Sequence, residues 1–122
     1  MRSFRTNRYR ERPRKKRRID IPERIASRYY NLAFKAYENG EYIKSIRLYS
    51  DCIRMQSKNA NAHHNRALAW AKVHESRKAL DDLNIAIRLN PFYSDAYNNR
   101  GVVHQELGED GKALEDFNAA IR

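Results

Sequence analysis

Three asparagines, Asn31, Asn65 and Asn99, stand 34 residues apart, and the sequence around each repeats with them. Sliding residues 60–88 onto 94–122 gives 12 identities in 29 positions: Ala62, Asn65, Arg66, Glu75, Lys78, Ala79, Leu80, Asp82, Asn84, Ala86, Ile87 and Arg88 all recur. Ordinary residue usage would give about two. Residues 26–59 join less closely, sharing Ala26, Asn31, Ala33, Glu41, Lys44, Ile53 and Arg54 with the next unit. A fixed period in this range implies a solenoid, because no single unit can bury its apolar face alone. The expected organisation is an arm over 1–18 and a repeat domain over 19–122, with units 26–59, 60–93 and 94–122.

Each unit reads as two helices. In the first, Ile25, Tyr29, Leu32, Ala33 and Ala36 fall three or four apart and predict one buried stripe on a helix ending near Glu38. Asp20 and Glu23 form its expected capping pair, with Pro22 where a missing amide costs nothing. Asn39-Gly40 stops that helix, and Ile43, Ile46, Tyr49, Cys52, Ile53 and Met55 carry the same period to about Gln56. The second unit pairs helices of roughly 60–73 and 77–89, ended by Asn90-Pro91. The third pairs 95–107 with a helix from about Gly111, for which Asp110 is the expected N-cap. Paired helices with short connections predict an all-α stack of αα-hairpins, and Gly40, Pro91 and Gly108 exclude a continuous coiled coil.

The chain carries a formal net charge of +10, unevenly placed. Residues 1–18 hold ten Lys and Arg against Glu11 alone, a net +9, which leaves +1 for residues 19–122. Such an arm, with only Phe4 and Tyr9 as large apolar groups, is expected to be disordered on its own. Its run Arg14-Lys15-Lys16-Arg17-Arg18 suits a nuclear-import signal, nucleic-acid phosphates or anionic lipid. Cys52 is the only cysteine, so there is no internal disulfide framework and a reducing compartment fits. No run of 18 apolar residues and no secretory leader pattern occurs. The expected location is cytoplasmic, or nuclear if the source is eukaryotic.

The repeat residues resemble the tetratricopeptide repeat (TPR) family. The likeness covers 26–122 and rests on small residues at helix crossings: Ala33, Ala67 and Gly101; Ser45, Ala79 and Ala113; Cys52, Ala86 and Ala120. Between the last two sets stand the large residues Tyr49, Leu83 and Phe117. Small side chains are needed where axes approach to about 8–10 Å. The resemblance implies a right-handed superhelix whose concave groove is lined by Tyr30, Asn31, Phe34, His64, Asn65, Leu68, Asn98, Asn99 and Val102. Asparagine amides suit an extended peptide, since each can donate to a C=O and accept from an N–H. The ladder of asparagines is similar to that of the O-linked N-acetylglucosamine transferase superhelix.

Two departures from the family pattern carry expectations. His74 stands where the other units have Gly40 and Gly108, which predicts a looser or reshaped turn. The sequence stops at Arg122 within the last helix, so the third repeat is truncated. The chain is then expected to be part of a longer array or to pack end to end through an uncapped C-terminal face.

The family's heat-shock carboxylate clamp uses Lys and Asn on the first helix, Asn on the third, and Lys and Arg on the fifth. The matching positions here are Tyr30, Phe34, Asn65, Asp95 and Asn99. Only Asn65 agrees, and without a cation a carboxylate lacks its charge-assisted bonds. The expected function is therefore a protein-interaction adaptor or scaffold that holds a peptide or helix in its groove and is not of the clamp type. The alternative is a nucleic-acid-associated TPR protein whose arm binds phosphates. No enzyme, cofactor or metal is expected: His63, His64, His74 and His104 lack a ligand spacing, and Asp81-Asp82 reads as solvated surface near Lys78.

Overall fold

The computed structural model describes residues 21–122, and the expected cap at Asp20 and the basic arm lie outside them. Six helices fill that range: α1 over 21–38, α2 Tyr42–Met55, α3 Ala60–Lys72, α4 Ser76–Leu89, α5 Ser94–Glu106 and α6 Asp110–Ala120. Helices α3/α4 and α5/α6 pair, and the hairpins stack through α2 against α3 and α4 against α5; α1 meets α2 where Tyr30 packs edge-on against Tyr49. This is the all-α stack of αα-hairpins that the period predicts, in the arrangement that the resemblance implies.

The small residues sit where helices cross. Ala33, Ser45, Cys52, Ala67, Ala79, Ala86, Gly101 and Ala113 are all buried. A methyl group on Gly101 would stand 2.7 Å from a ring carbon of Phe117, so the third hairpin closes only without a side chain there. In the first hairpin the buried hydroxyl of Ser45 donates to the Ala33 carbonyl at 2.8 Å, which satisfies a polar group inside the crossing. Two apolar cores follow from this packing. Ala26, Ala33, Tyr49, Cys52 and Ala62 close the first repeat against the second. Ala67, Ala79, Leu80, Leu83, Ala86, Ala96 and Val103 close the second against the third.

The turn within the middle hairpin is not looser than the other two. Gly40, His74 and Gly108 take φ of 80°, 63° and 78°. In each turn the amide of that residue bonds three residues back at 3.0 Å, and the next amide bonds five residues back at 2.8–2.9 Å. These bonds close the last helical turn and force the left-handed conformation on whatever residue occupies it, so His74 is strained into a glycine's geometry.

Three further expectations are corrected. Ile25 and Leu32 are exposed, because the face of α1 that carries them has no neighbouring helix among the described residues, whereas Ala26, Ala33 and Ala36 are buried. Asp110 opens α6 as its first residue rather than capping it, and Glu109 occupies the cap without a side-chain bond. Asp82 is buried, while its neighbour Asp81 is exposed. A rotation of 100° per residue separates adjacent positions on a helix, and here it takes Asp82 under Arg66.

Candidate functional site

The first helices of the three hairpins, α1, α3 and α5, lie side by side and carry the residues that the sequence assigns to the groove. Phe34, Leu68 and Val102 occupy one register position, 34 residues apart. Phe34 and Val102 are exposed and Leu68 is half-buried, giving an apolar ladder open to solvent. Helix periodicity alone sets this alignment, because the superhelix returns the same face at every repeat.

Beside that ladder runs a line of hydrogen bonds. Asn99 donates through Nδ2 to Nε2 of His64 at 2.8 Å. His64 donates through Nδ1 to Oδ1 of Asn65 at 3.0 Å, and Asn65 donates through Nδ2 to the phenol oxygen of Tyr30 at 2.8 Å. Each ladder asparagine thus bonds the residue that precedes the previous ladder asparagine. Accepting at Nε2 and donating at Nδ1 fixes His64 as the neutral tautomer. Burial lowers its pKa, although the bond to Asn65 and the charge of Asp95 act the other way. Burial raises the Tyr30 phenol, opposed in part by the bond from Asn65. Tyr93 stacks at 4.9 Å on His64 and is pushed up to about 12 by burial, then by Tyr30 and Asp95. The bonded line Tyr30, Asn65, His64 and Asn99 consequently carries no charge at neutral pH.

His64 is buried, and both ring nitrogens are engaged by asparagines. Asn65 and Asn99 are half-buried, each with part of its amide already committed. Asn98 is exposed. Asn31 is exposed too, but it borders a shallow depression on the outer side of α1 rather than joining the line of bonds. Among the described residues no group of three or more His, Cys, Asp or Glu could hold a metal ion. His63 is taken up by structure: its Nε2 lies 3.0 Å from the Ser57 carbonyl in the connection to α3.

Behind the groove, sequence reasoning missed a pair of arginine clamps. Arg66 grips Asp82 with Nε and Nη2 at 2.8 and 2.7 Å and reaches back to Ser50 Oγ at 3.0 Å. Arg100 grips Asp116 at 2.9 and 2.7 Å and reaches back to Asn84 Oδ1 at 2.9 Å. Each planar fork therefore ties the two helices of its own hairpin to the second helix of the hairpin before. The burial of Asp82 works to raise its pKa, but the bonds and charge of Arg66 outweigh that and hold it below the ordinary carboxylate value. The signal was present: Arg and Asp recur together, 16 residues apart, in both units. In the first unit the same two positions are Leu32 and Leu48.

No model of a known protein family matches the sequence, and no curated protein sequence matches it. Solved structures do. The second TPR domain of Spaghetti (RPAP3), bound to the HSP90 peptide SRMEEVD, is 29% identical with a TM-score of 0.77, covering 80% of this chain and 90% of that one. The second TPR domain of human RPAP3, in complex with the HSP70 peptide SGPTIEEVD, is 29% identical with a TM-score of 0.78 over 82% and 83% of the two chains. The TPR2B domain of yeast Sti1, in a complex with pHsp70, is 25% identical with a TM-score of 0.77 over 79% and 77%. Period, hairpin geometry, small-residue crossings and these likenesses agree: the described residues have the fold of the tetratricopeptide repeat domains that they resemble.

Proposed function

We propose that this protein is an interaction adaptor whose concave groove binds an apolar or neutral segment of a partner protein, and that it does not clamp a C-terminal carboxylate. One observation carries the reading: the solvent-open ladder Phe34, Leu68 and Val102 beside an uncharged line of amides. The five positions that would hold a carboxylate are Tyr30, Phe34, Asn65, Asp95 and Asn99, with no cation among them. An acidic tail such as SRMEEVD, which Spaghetti's second TPR domain binds, would lie near the charge of Asp95 and gain no charge-assisted bond. Apolar side chains on the ladder would supply affinity, and the Asn99 amide oxygen with the exposed Asn98 amide would orient the chain.

Calorimetric titration with the SRMEEVD peptide tests this directly. No saturable binding is expected. Peptides selected from a random display library against the chain should lose at least about ten-fold in affinity on Leu68→Glu, the loss of a desolvated apolar contact being worth more than 1.4 kcal/mol. Tight binding of SRMEEVD that disappears on Asn65→Ala would sink the reading.

A second reading rests on the charge of the arm, net +9 over residues 1–18. It has the arm bind nucleic-acid phosphates while the repeats recruit a partner. RNA and DNA binding by the full chain, titrated across salt, decides it: phosphate contacts give a steep fall of affinity with salt, and groove binding does not.

A further inference from the structure

On α1, Ile21, Ile25, Arg28, Leu32 and Lys35 follow one another at spacings of four and three, and all five are exposed. That alternation is the seam of one helix lying along another. In the later repeats the matching positions are filled for close approach: Ala62, Ala69 and Ala96 are fully buried, Val103 nearly so, and Arg66 and Arg100 reach the preceding α2 and α4. Arg28 and Lys35 stand where those buried small residues stand, and Leu32 stands where the arginines stand. A hairpin of this repeat type cannot seat there, because its approach depends on side chains no larger than methyl or isopropyl at the crossing. Arg28, Leu32 and Lys35 therefore oppose head-to-tail stacking of a second copy on this face.

We propose that this outer face of α1 docks an acidic amphipathic helix of a partner protein. Its apolar side covers Ile21, Ile25 and Leu32, and carboxylates seven residues apart meet Arg28 and Lys35. Seven residues on the partner helix span about 10 Å, the same rise that separates Arg28 from Lys35 on α1. The depression bordered by Arg24, Ile25, Arg28, Asn31, Leu32 and Lys35 gives the helix a shallow bed. Asn31 completes the recognition. It occupies the register position from which Asn65 and Asn99 each donate to the helix in front of their own, so its amide is placed to donate to the docked helix. The site is separate from the groove, and either assignment can fail without the other.

The probe is a synthetic amphipathic helix of about 18 residues, long enough to cover the seam, with Leu and Glu alternating at spacings of four and three. A scrambled peptide of the same composition is the control for attraction to the basic arm. By fluorescence anisotropy with the full chain, the ordered peptide should bind at least about ten-fold more tightly than the scrambled one. Arg28→Glu with Lys35→Glu, and separately Leu32→Asp, should each weaken it about ten-fold or more, since two exposed pairs and one apolar contact contribute on that scale. All three residues are exposed, so circular dichroism should show unchanged helix content in the variants. Equal affinity for the scrambled peptide, no binding of the ordered one, or loss of binding on Leu68→Glu but not on the α1 substitutions would each overturn the proposal.

Discussion

Asn99 and His64 are bonded at 2.8 Å across the junction of the second and third repeats, and one repeat earlier Asn65 and Tyr30 are bonded at the same distance. The two junctions use the same register with different acceptors. A phenol oxygen accepts in one and an imidazole nitrogen in the other. Only the second acceptor can be lost by taking up a proton.

That difference predicts a pH dependence. Burial holds the His64 pKa below its ordinary value of 6.5, so below about pH 6.5 the unfolded chain binds a proton that the folded chain resists. The contribution of His64 to stability is complete above that pH and is lost progressively as the pH falls below it towards the lowered folded-state pKa. Urea unfolding at pH 7.5 and 5.5 should show the native chain weakening on acidification by more than the His64→Gln variant does. An equal loss in both would place the effect elsewhere.

The arginine clamps predict a marked non-additivity. Asp82→Ala leaves the Arg66 guanidinium and the buried ring of His63 without their anion, and should destabilise the chain by about 3 kcal/mol. The first unit already shows the apolar solution at these two positions, Leu32 with Leu48. Arg66→Leu combined with Asp82→Leu should therefore recover more than half of the loss in chemical denaturation. A double variant no more stable than Asp82→Ala would mean that the bond to Ser50, and not the pair itself, is the main tie between hairpins.

His74 predicts a gain. Its φ of 63° is open to glycine at little steric cost, whereas a residue with a Cβ carries a penalty of about 1–2 kcal/mol there. Part of that gain is offset by the greater freedom of glycine in the unfolded chain. His74→Gly should raise stability by about 0.5–1 kcal/mol, measured by thermal or urea unfolding. The side chain is exposed and makes no hydrogen bond that the substitution would remove among the described residues. A loss of stability would show that the ring contributes more than its strain removes.

Much of the fold was legible because its determinants are local and repeated. The spacing of Ala33, Ala67 and Gly101, and of Gly40 and Gly108, marks crossings and turns without reference to any distant residue. The site was legible only as a set of positions. Asp81 and Asp82 are equivalent in a sequence, and what separates them is which one meets Arg66 from another helix. Likewise His64 fits the groove register, yet Tyr93 and two asparagines enclose it.

The sequence by itself determined the number of repeats, the helix pairs and the register that puts Phe34, Leu68 and Val102 in line, since these follow from a 34-residue period and the 3.6-residue turn of a helix. Only the tertiary structure decided which face of each helix has a neighbour. The stripe of Ile25 and Leu32 obeys the same periodicity as a buried stripe, but burial requires an opposing surface, and among the described residues α1 has none on that side. Periodicity shows that a face is apolar, and the packing of separate hairpins determines whether it is covered.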